Sequence, residues 1–442
     1  MRQRDRPARH RVQAGRLMIE TLRRFRSFNR PIQLLQINQV GINLGFYMLM
    51  PYLATHLAGT AGLATWMIGL ILGVRNLSQQ GLFLLGGTLS DRLGYKGVIM
   101  AGCALRTIGF ALFGLAGAAP ALIVAAALTG LAGALFNPAA RAYLSHEAGE
   151  RKVEAFAVFN VFYQAGILAG PLVGVVLLNL GFQVICLSAA AVFALLTLLQ
   201  GLCLPARHGA EADSARPVLH DWREALSNRS FLSFAAAMIA SYALSYQIYL
   251  GLPIEAQRAG GSDSATATLY VISAVLGIAG QVRLTAWCSA RWARGQAIVR
   301  GLLLMGLAFL PLAATAHLTL SGPVAWAPVI ACTVLLTTGT LVAFPFEMAL
   351  IADIGGGRLI GTYYGLYHLL SGIGILAGNL LSGAAIDLSR AAGLTGLPWL
   401  LLALAGLGSA LAVGRLERAG RLQTPVAVGA DPDAQPLSPR SG

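Results

Sequence analysis

Long apolar runs dominate the hydrophobic pattern of this 442-residue chain. A helix needs about 20 apolar residues to cross the hydrocarbon core of a bilayer. Runs of that length recur twelve times, with short polar or glycine-rich connections between them, so the pattern predicts an all-α integral membrane protein with twelve transmembrane helices. The predicted spans cover residues 33–56, 65–88, 97–117, 121–143, 156–178, 183–204, 231–254, 266–288, 297–316, 323–346, 361–386 and 397–415.

Polar stretches at the two ends and in the middle divide the chain into five parts. The middle stretch contains "HDWREALSNRS", which favours a short surface helix, and the proline-rich C-terminal tail predicts disorder. The predicted parts are a basic cytoplasmic segment (1–30), a first six-helix half (31–204), a cytoplasmic linker (205–230), a second six-helix half (231–415) and a cytoplasmic tail (416–442).

Composition and charge support a membrane protein and give its orientation. Hydrophobic residues make up 56% of the chain and charged residues 11%, whereas soluble domains carry about 25% charged residues. The net charge is +14, with ten arginines in residues 1–30 and most other basic residues in alternate connections. Positive charge marks the cytoplasmic side, so both termini are expected there. The five cysteines lack metal or disulfide spacing, and neither a metal, a cofactor nor a nucleic-acid partner is expected.

An internal repeat indicates that the two halves are related. The pentapeptide "GILAG" occurs at 166–170 and again at 374–378, an offset of 208 residues. The offset places the fifth span over the eleventh, which are six spans apart. Two pseudo-symmetric six-helix halves around a midplane cavity are the architecture of alternating-access transporters.

A short connection after the second span, "GGTLSDRLGYKG", concentrates glycine and charge between two apolar runs. Glycine permits close helix approach and tight turns, and an aspartate there can accept bonds from a helix N-terminus. The residues singled out as a gating loop are Gly87, Asp91, Arg92, Gly94 and Lys96.

This connection resembles the signature loop between spans 2 and 3 of the major facilitator superfamily. The resemblance covers about residues 31–415 and implies that Asp91 is a latch, which contacts the start of span 11 near Gly361 in the outward-open state. Tyr95 departs from the family, which commonly has a second basic residue there. For Lys96, a plain membrane anchor is the alternative to a gating role.

A second motif on span 5, "GILAGPLVG", places glycines at i, i+4 and i+8 on one helix face, where they allow close packing. Its residues are Gly166, Gly170, Pro171 and Gly174, and the proline can kink the helix. The segment resembles the antiporter motif of drug:proton exporters in the same superfamily, which implies export driven by the proton gradient. A generic packing stripe is the alternative.

Two arginines and no acid lie near the middle of a predicted span. Arg75 and Arg106 fall near the middle of spans 2 and 3, where a charge costs at least about 2.5 kcal/mol. They are either structural or serve coupling or substrate binding. Asn38 stands where many of the drug:proton exporters carry an acid, so coupling would run through Asp91, Glu347 or a histidine such as His368, or through no central carboxylate at all. His368 can equally be a polar core residue.

The expected cavity is lined by polar and aromatic residues of several spans. Tyr242, Tyr246 and Tyr249 lie at i, i+4 and i+7, on one face of a helix, although such stripes also arise from packing. An aromatic pocket with few acids suits neutral or anionic amphipathic compounds as well as cations. The expected lining residues are Asn38, Asn43, Tyr47, Gln79, Tyr242, Tyr246 and Tyr249.

The resulting expectation is a secondary active transporter in a bacterial plasma or inner membrane. It would export small amphipathic compounds by alternating access and, by family resemblance, act as a monomer. An importer or facilitator of a small metabolite is the alternative on the same fold. A membrane enzyme lacks a catalytic cluster in this sequence, and a sensor would need an output domain.

Overall fold

The computed structural model describes residues 22–59, 62–207, 218–260, 263–318, 320–354 and 360–422. Within these ranges the regular structure is helical, as expected where a backbone must satisfy its hydrogen bonds without water. Most of the predicted basic N-terminal segment and the tail beyond residue 422 lie outside them. The helices are α1 (Arg30–Gly59), α2 (Thr65–Gly81), α3 (Phe83–Leu93), α4 (Tyr95–Leu115), α5 (Ala119–Ala148), α6 (Lys152–Leu178), α7 (Phe182–Cys203), α8 (Val218–Ser227), α9 (Arg229–Ser245), α10 (Gly251–Gly260), α11 (Asp263–Ser289), α12 (Arg294–Leu307), α13 (Leu310–Thr315), α14 (Ala327–Ile354), α15 (Ile360–Ala391) and α16 (Leu397–Arg418).

Each of the twelve predicted spans falls on one helix or on two successive helices. In the described part of the chain, nine helical runs are long and apolar enough to cross a membrane, and a pair within α11, bent by 51°, makes a tenth. The two remaining spans correspond to α1 and to α2 with α3. Helix α1 is less apolar because it carries the polar residues Gln36, Asn38, Gln39 and Asn43. All four side chains are buried inside the protein.

Three spans predicted as continuous are interrupted. The second breaks at Leu82, the seventh passes through a 3-10 turn at Tyr246–Ile248, and the ninth breaks between α12 and α13. Helices α10 and α13 restart with Pro253 and Pro311 in their first turns. Proline is tolerated at these positions because the first-turn N–H groups have no partner within the helix.

The repeat predicted from the sequence recurs as a packing pattern. Gly166 and Gly170 of α6 lie against α1, at Asn43 and Tyr47. Their counterparts Gly374 and Gly378 of α15 lie against α9, at Ile239 and Ala243. The fifth and first spans therefore pair in the first half as the eleventh and seventh do in the second half.

The two halves meet closely at the end of the bundle away from residues 22–30 and 416–422, which we call the far end. Gly69 and Gly383 bring α2 and α15 into backbone contact there. Leu250, Ile254 and Ala267 of the second half belong to the buried apolar core of the first half. The described conformation is thus closed at the far end.

Candidate functional site

A pair of buried arginines lies between the spans of the first half. Arg75 and Arg106 are only 8% and 5% exposed. Their guanidinium carbons lie 4.5 and 5.4 Å from the centroid of the Phe46 ring, within the usual range for cation–π contact. Arg106 also lies 5.3 Å from the ring of Phe193. Both arginines therefore face the protein interior.

Neutral amides, not carboxylates, hold the first arginine. Arg75 Nη1 donates to Asn76 Oδ1 at 2.7 Å, and Nη2 donates to Gln79 Oε1 at 2.5 Å. The Nε groups of Arg75 and Arg106 have no hydrogen-bond partner. Neither arginine takes part in an ion pair between described residues. The positive charge of the pair is therefore not neutralised by the described side chains.

A glycine on α5 makes room for the arginine pair. A Cβ at Gly133 would lie 2.9 Å from Arg106 Nη2 and 3.0 Å from the side-chain amide of Gln79. Any side chain at this position would thus displace the second guanidinium or the amide that holds the first. Gly133 and Phe46 were missed in the sequence, because a glycine or a phenylalanine in an apolar run gives no distinctive signal.

Tyrosines from both halves face the arginine pair. Tyr47 on α1 lies near Tyr249, beyond α9, and so brings the two halves together here. The rings of Tyr246 and Tyr249 are tilted to each other with their centroids 5.5 Å apart, and both residues lie near Arg75. Both line a cavity of about 250 Å³, whose wall includes Ser273, Thr337 and Thr340. Tyr246 and Tyr249, both predicted as lining residues, thus line one cavity, and Tyr47 lies near Tyr249.

Tyr242 faces elsewhere, so the predicted single tyrosine stripe is split. The α-helix ends at Ser245 and the chain turns through a 3-10 segment, which rotates Tyr246 and Tyr249 away from Tyr242. The Tyr242 hydroxyl instead donates to Glu347 Oε1 at 2.9 Å. Its ring stacks on Phe344, with centroids 5.2 Å apart.

Glu347, one of the candidate proton carriers, is fully buried in the second half. Tyr367 on α15 also donates a short hydrogen bond to Glu347 Oε1. The other carboxylate oxygen, Oε2, has no hydrogen-bond partner, and no ion pair between described residues includes Glu347. Tyr367 was not predicted as a site residue. The arrangement is a buried carboxyl group with two hydroxyl donors and no cation.

The other predicted cavity and coupling residues have diverse surroundings. Asn38 is fully buried, and neither polar atom of its amide has a partner. Asn43 donates to the Tyr163 carbonyl at 3.0 Å, so it bonds α1 to α6 rather than pointing into free space. His368 lies 3.4 Å from Gln80 of the other half, and its ring lies 5.5 Å from that of Phe83. It is a polar contact between α15 and the second span.

The gating loop is described only in part. Gly94 has a φ of 86°, which explains a glycine between α3 and α4. Lys96 Nζ donates to the Gly201 carbonyl at 2.8 Å, a favourable site for a cation in the last turn of α7, which fits the anchoring alternative. Gly87 falls in α3 and Gly361 at the start of α15, whereas the side chains of Asp91 and Arg92 lie outside the described part of the structure. The latch contact stays a prediction.

The predicted antiporter motif forms a close helix interface. A Cβ at Gly170 would lie 2.6 Å from the Cβ of Tyr47, and one at Gly174 would collide with the Met48 carbonyl. The helix continues through Pro171, whose carbonyl accepts a 2.6 Å bond from the Tyr52 hydroxyl. The stripe therefore sets how closely α6 approaches the span that carries Tyr47.

Comparison with known proteins places this geometry in a family. The family model for the Major Facilitator Superfamily matches residues 37–379. An uncharacterized MFS-type transporter of Mycobacterium tuberculosis strain H37Rv is 47% identical over 397 residues, which cover 89% of this chain and 94% of that protein. The multidrug resistance protein MdtH of Salmonella newport is 30% identical over 381 residues, covering 86% and 92% respectively.

Solved structures of low sequence identity share the fold. The crystal structure of nucleoside transporter NupG matches with a TM-score of 0.75 at 15% identity, covering 88% of this chain and all of that one. A POT family transporter in complex with 5-aminolevulinic acid matches with a TM-score of 0.72 at 13% identity, covering 89% and 99%. Helix pairing, family model and relatives agree, and the chain belongs to the major facilitator superfamily, whose members are membrane transporters rather than enzymes.

Proposed function

We propose that this transporter exports small amphipathic compounds in exchange for protons, with Glu347 as the proton site. The observation that carries the proposal is the buried carboxyl group of Glu347, which has two tyrosine donors on one oxygen and no partner on the other. No cofactor is required, because the proton gradient supplies the energy.

A buried carboxylate without a cation is energetically costly, whereas its protonated form is not. Oε2 of Glu347, which lacks a partner, is the atom that can hold the proton. Two hydroxyl donors on Oε1 support the charged form when the proton leaves. A group that can exist in both states within the membrane is what proton coupling needs, and Asn38 cannot supply it.

Tyr242 links the proton site to the arginine pair. Its hydroxyl bonds Glu347, while Tyr246, four residues later, interacts with Arg75. The 3-10 segment between α9 and α10 lies at this point of the chain. A change in the hydrogen bonds of Glu347 can therefore shift Tyr242 and, through the 3-10 segment, the tyrosines that line the cavity.

Two features support export rather than import. MdtH, a multidrug resistance protein by name, is 30% identical over most of the chain. The glycine–proline stripe of α6, which resembles the antiporter motif, packs against α1 beside Tyr47. The distribution of basic residues favours cytoplasmic termini in a bacterial plasma membrane, and the protein is proposed to act there as a monomer.

Accumulation of three fluorescent dyes in an efflux-deficient bacterial host tests this function. The dyes are cationic ethidium, neutral N-phenyl-1-naphthylamine and anionic carboxyfluorescein, each measured with and without an uncoupler. Wild-type protein is expected to lower accumulation of at least one dye, and the uncoupler is expected to abolish the effect. Glu347→Gln should lose export at normal membrane levels, whereas Glu150→Gln, at an exposed acid, should retain it.

Two results would count against the proposal. If the expressed wild-type protein lowers none of the three dyes, export of this compound class is wrong, and raised accumulation would indicate uptake instead. If Glu347→Gln pumps as well as the Glu150→Gln control, the proton is carried by another group.

A further inference from the structure

We infer that the cavity recognises substrates that carry an anionic group of the carboxylate, sulfonate or phosphate class, bound by Arg75 and Arg106. This inference deepens the proposed function, since it takes the cavity beside Tyr246 and Tyr249 to be part of the substrate site. It rests on the charge and hydrogen-bond state of the arginine pair, not on the identity of any relative.

The pair is an uncompensated cationic site. Both guanidinium carbons lie over one phenyl ring, so at most 9.9 Å separates them, the sum of their distances to its centroid. Both side chains are more than nine-tenths buried, and the ion pairs of the described residues include neither. Two buried like charges are costly, and an anion that contacts both would offset that cost.

The donors of the pair are incompletely used. Arg75 has two donors bound to amide oxygens and a free Nε, and Arg106 has a free Nε and contacts with aromatic rings. A guanidinium presents five N–H donors in a planar fork that matches carboxylate, sulfonate or phosphate oxygens. The site therefore lacks acceptors and a negative charge, which are the two things an oxyanion provides.

The surroundings define the rest of the ligand. Tyr246 and Tyr249 line the cavity and lie near Arg75, and their hydroxyls can donate to an anion. Phe46 and Tyr47, whose rings meet edge to face, offer apolar surface beside the charges. An anionic head attached to an aromatic or apolar body fits this arrangement better than a cation, which two arginines would repel.

A matched pair of probes tests the inference by calorimetric titration of the purified full-length protein in a neutral detergent. Naphthalene-1-sulfonate carries the anionic group, and naphthalene-1-sulfonamide is its uncharged counterpart of nearly the same shape. Wild-type protein is expected to bind the sulfonate at least tenfold more tightly than the sulfonamide. Arg75→Gln and Arg106→Gln should each remove most of this preference, while Arg415→Gln, at an exposed arginine, should leave it unchanged.

Arg106→Lys keeps the charge without the fork and should retain part of the preference, even if a glutamine variant fails to fold. The inference is overturned if wild type prefers the sulfonamide, binds both equally or binds neither at millimolar concentration. It is also overturned if the preference survives in folded Arg106→Gln and Arg75→Gln proteins. Because binding in detergent needs no proton gradient, arginine-dependent sulfonate binding without dye export would refute the proposed function alone. Export without sulfonate preference would refute the inference alone.

Discussion

A single hydrogen bond between the halves should help to hold the far end closed. The backbone N–H of Trp66, in the first turn of α2, donates to Asp387 Oδ2 of α15 at 2.9 Å. The residue before this helix, Ala64, provides no side-chain cap. Asp387 therefore caps α2 from the other half of the protein, and Asp387→Ala removes that cap.

The size of the effect follows from the type of bond. Loss of a capping carboxylate costs about 1 kcal/mol, at the middle of the range for caps, and the partly exposed site argues against a larger value. The bond exists only while the far end is closed, so the whole cost falls on that state. A difference of about 1 kcal/mol changes the ratio of closed to open protein about fivefold.

Distances between spin labels can measure this ratio. Labels at Ala118→Cys and Ala392→Cys, both exposed at the far end, report its opening in protein whose five native cysteines are replaced. Asp387→Ala should raise the long-distance population about fivefold relative to the short one. Asp387→Asn retains an acceptor oxygen and should have a smaller effect. An unchanged or smaller open population in Asp387→Ala would refute the capping argument.

Three further predictions concern the interior of the protein. Gly170→Ala should lower the melting temperature, since its Cβ would overlap α1 at a cost of about 1–3 kcal/mol. Gly277→Ala, with open space around it, is the control and should not lower it. Equal melting temperatures of the two variants would contradict this prediction. Tyr367→Phe removes one donor from Glu347 and should slow proton flux in proteoliposomes without weakening sulfonate binding; unchanged flux would show that the bond is only structural. Gly133→Ala should weaken sulfonate binding several-fold by displacing the adjacent guanidinium, and sulfonamide binding should be unchanged. Calorimetric titration measures both, and an equal loss of the two would indicate general distortion of the protein.

The sequence predicted most of the architecture because the bilayer restricts it so strongly. Span length and apolar composition follow from membrane thickness and the need to satisfy the backbone, and each predicted span falls on a helix or a helix pair. The breaks at Leu82 and at Tyr246–Ile248 were not predicted. No proline or charge marks the first, whereas Pro253, in the turn after the second, is a signal that the prediction did not use.

The site was predicted less completely because its contacts join distant parts of the chain. Arg75 and Arg106 stood out as charges in apolar runs, but the ring they share belongs to α1. Glu347 stood out as an acid, whereas Tyr242, which donates a hydrogen bond to it, lies 105 residues away in the sequence. Residue type thus identified the charged members of the site together with Gln79 and Tyr242, whereas only the fold identified Phe46, Gly133 and Tyr367 as their neighbours.

The backbone contact between α2 and α15 affects how fast the far end of the protein can open. A joint that must part and re-form in every transport cycle cannot be held by many strong bonds, because each additional 1 kcal/mol would slow its opening about fivefold. At Gly69 and Gly383 the two helices touch through bare backbone, so at these two points no side chain needs to withdraw before they separate. Backbone contact with one capping bond beside it favours an end of the transporter that closes and still reopens quickly.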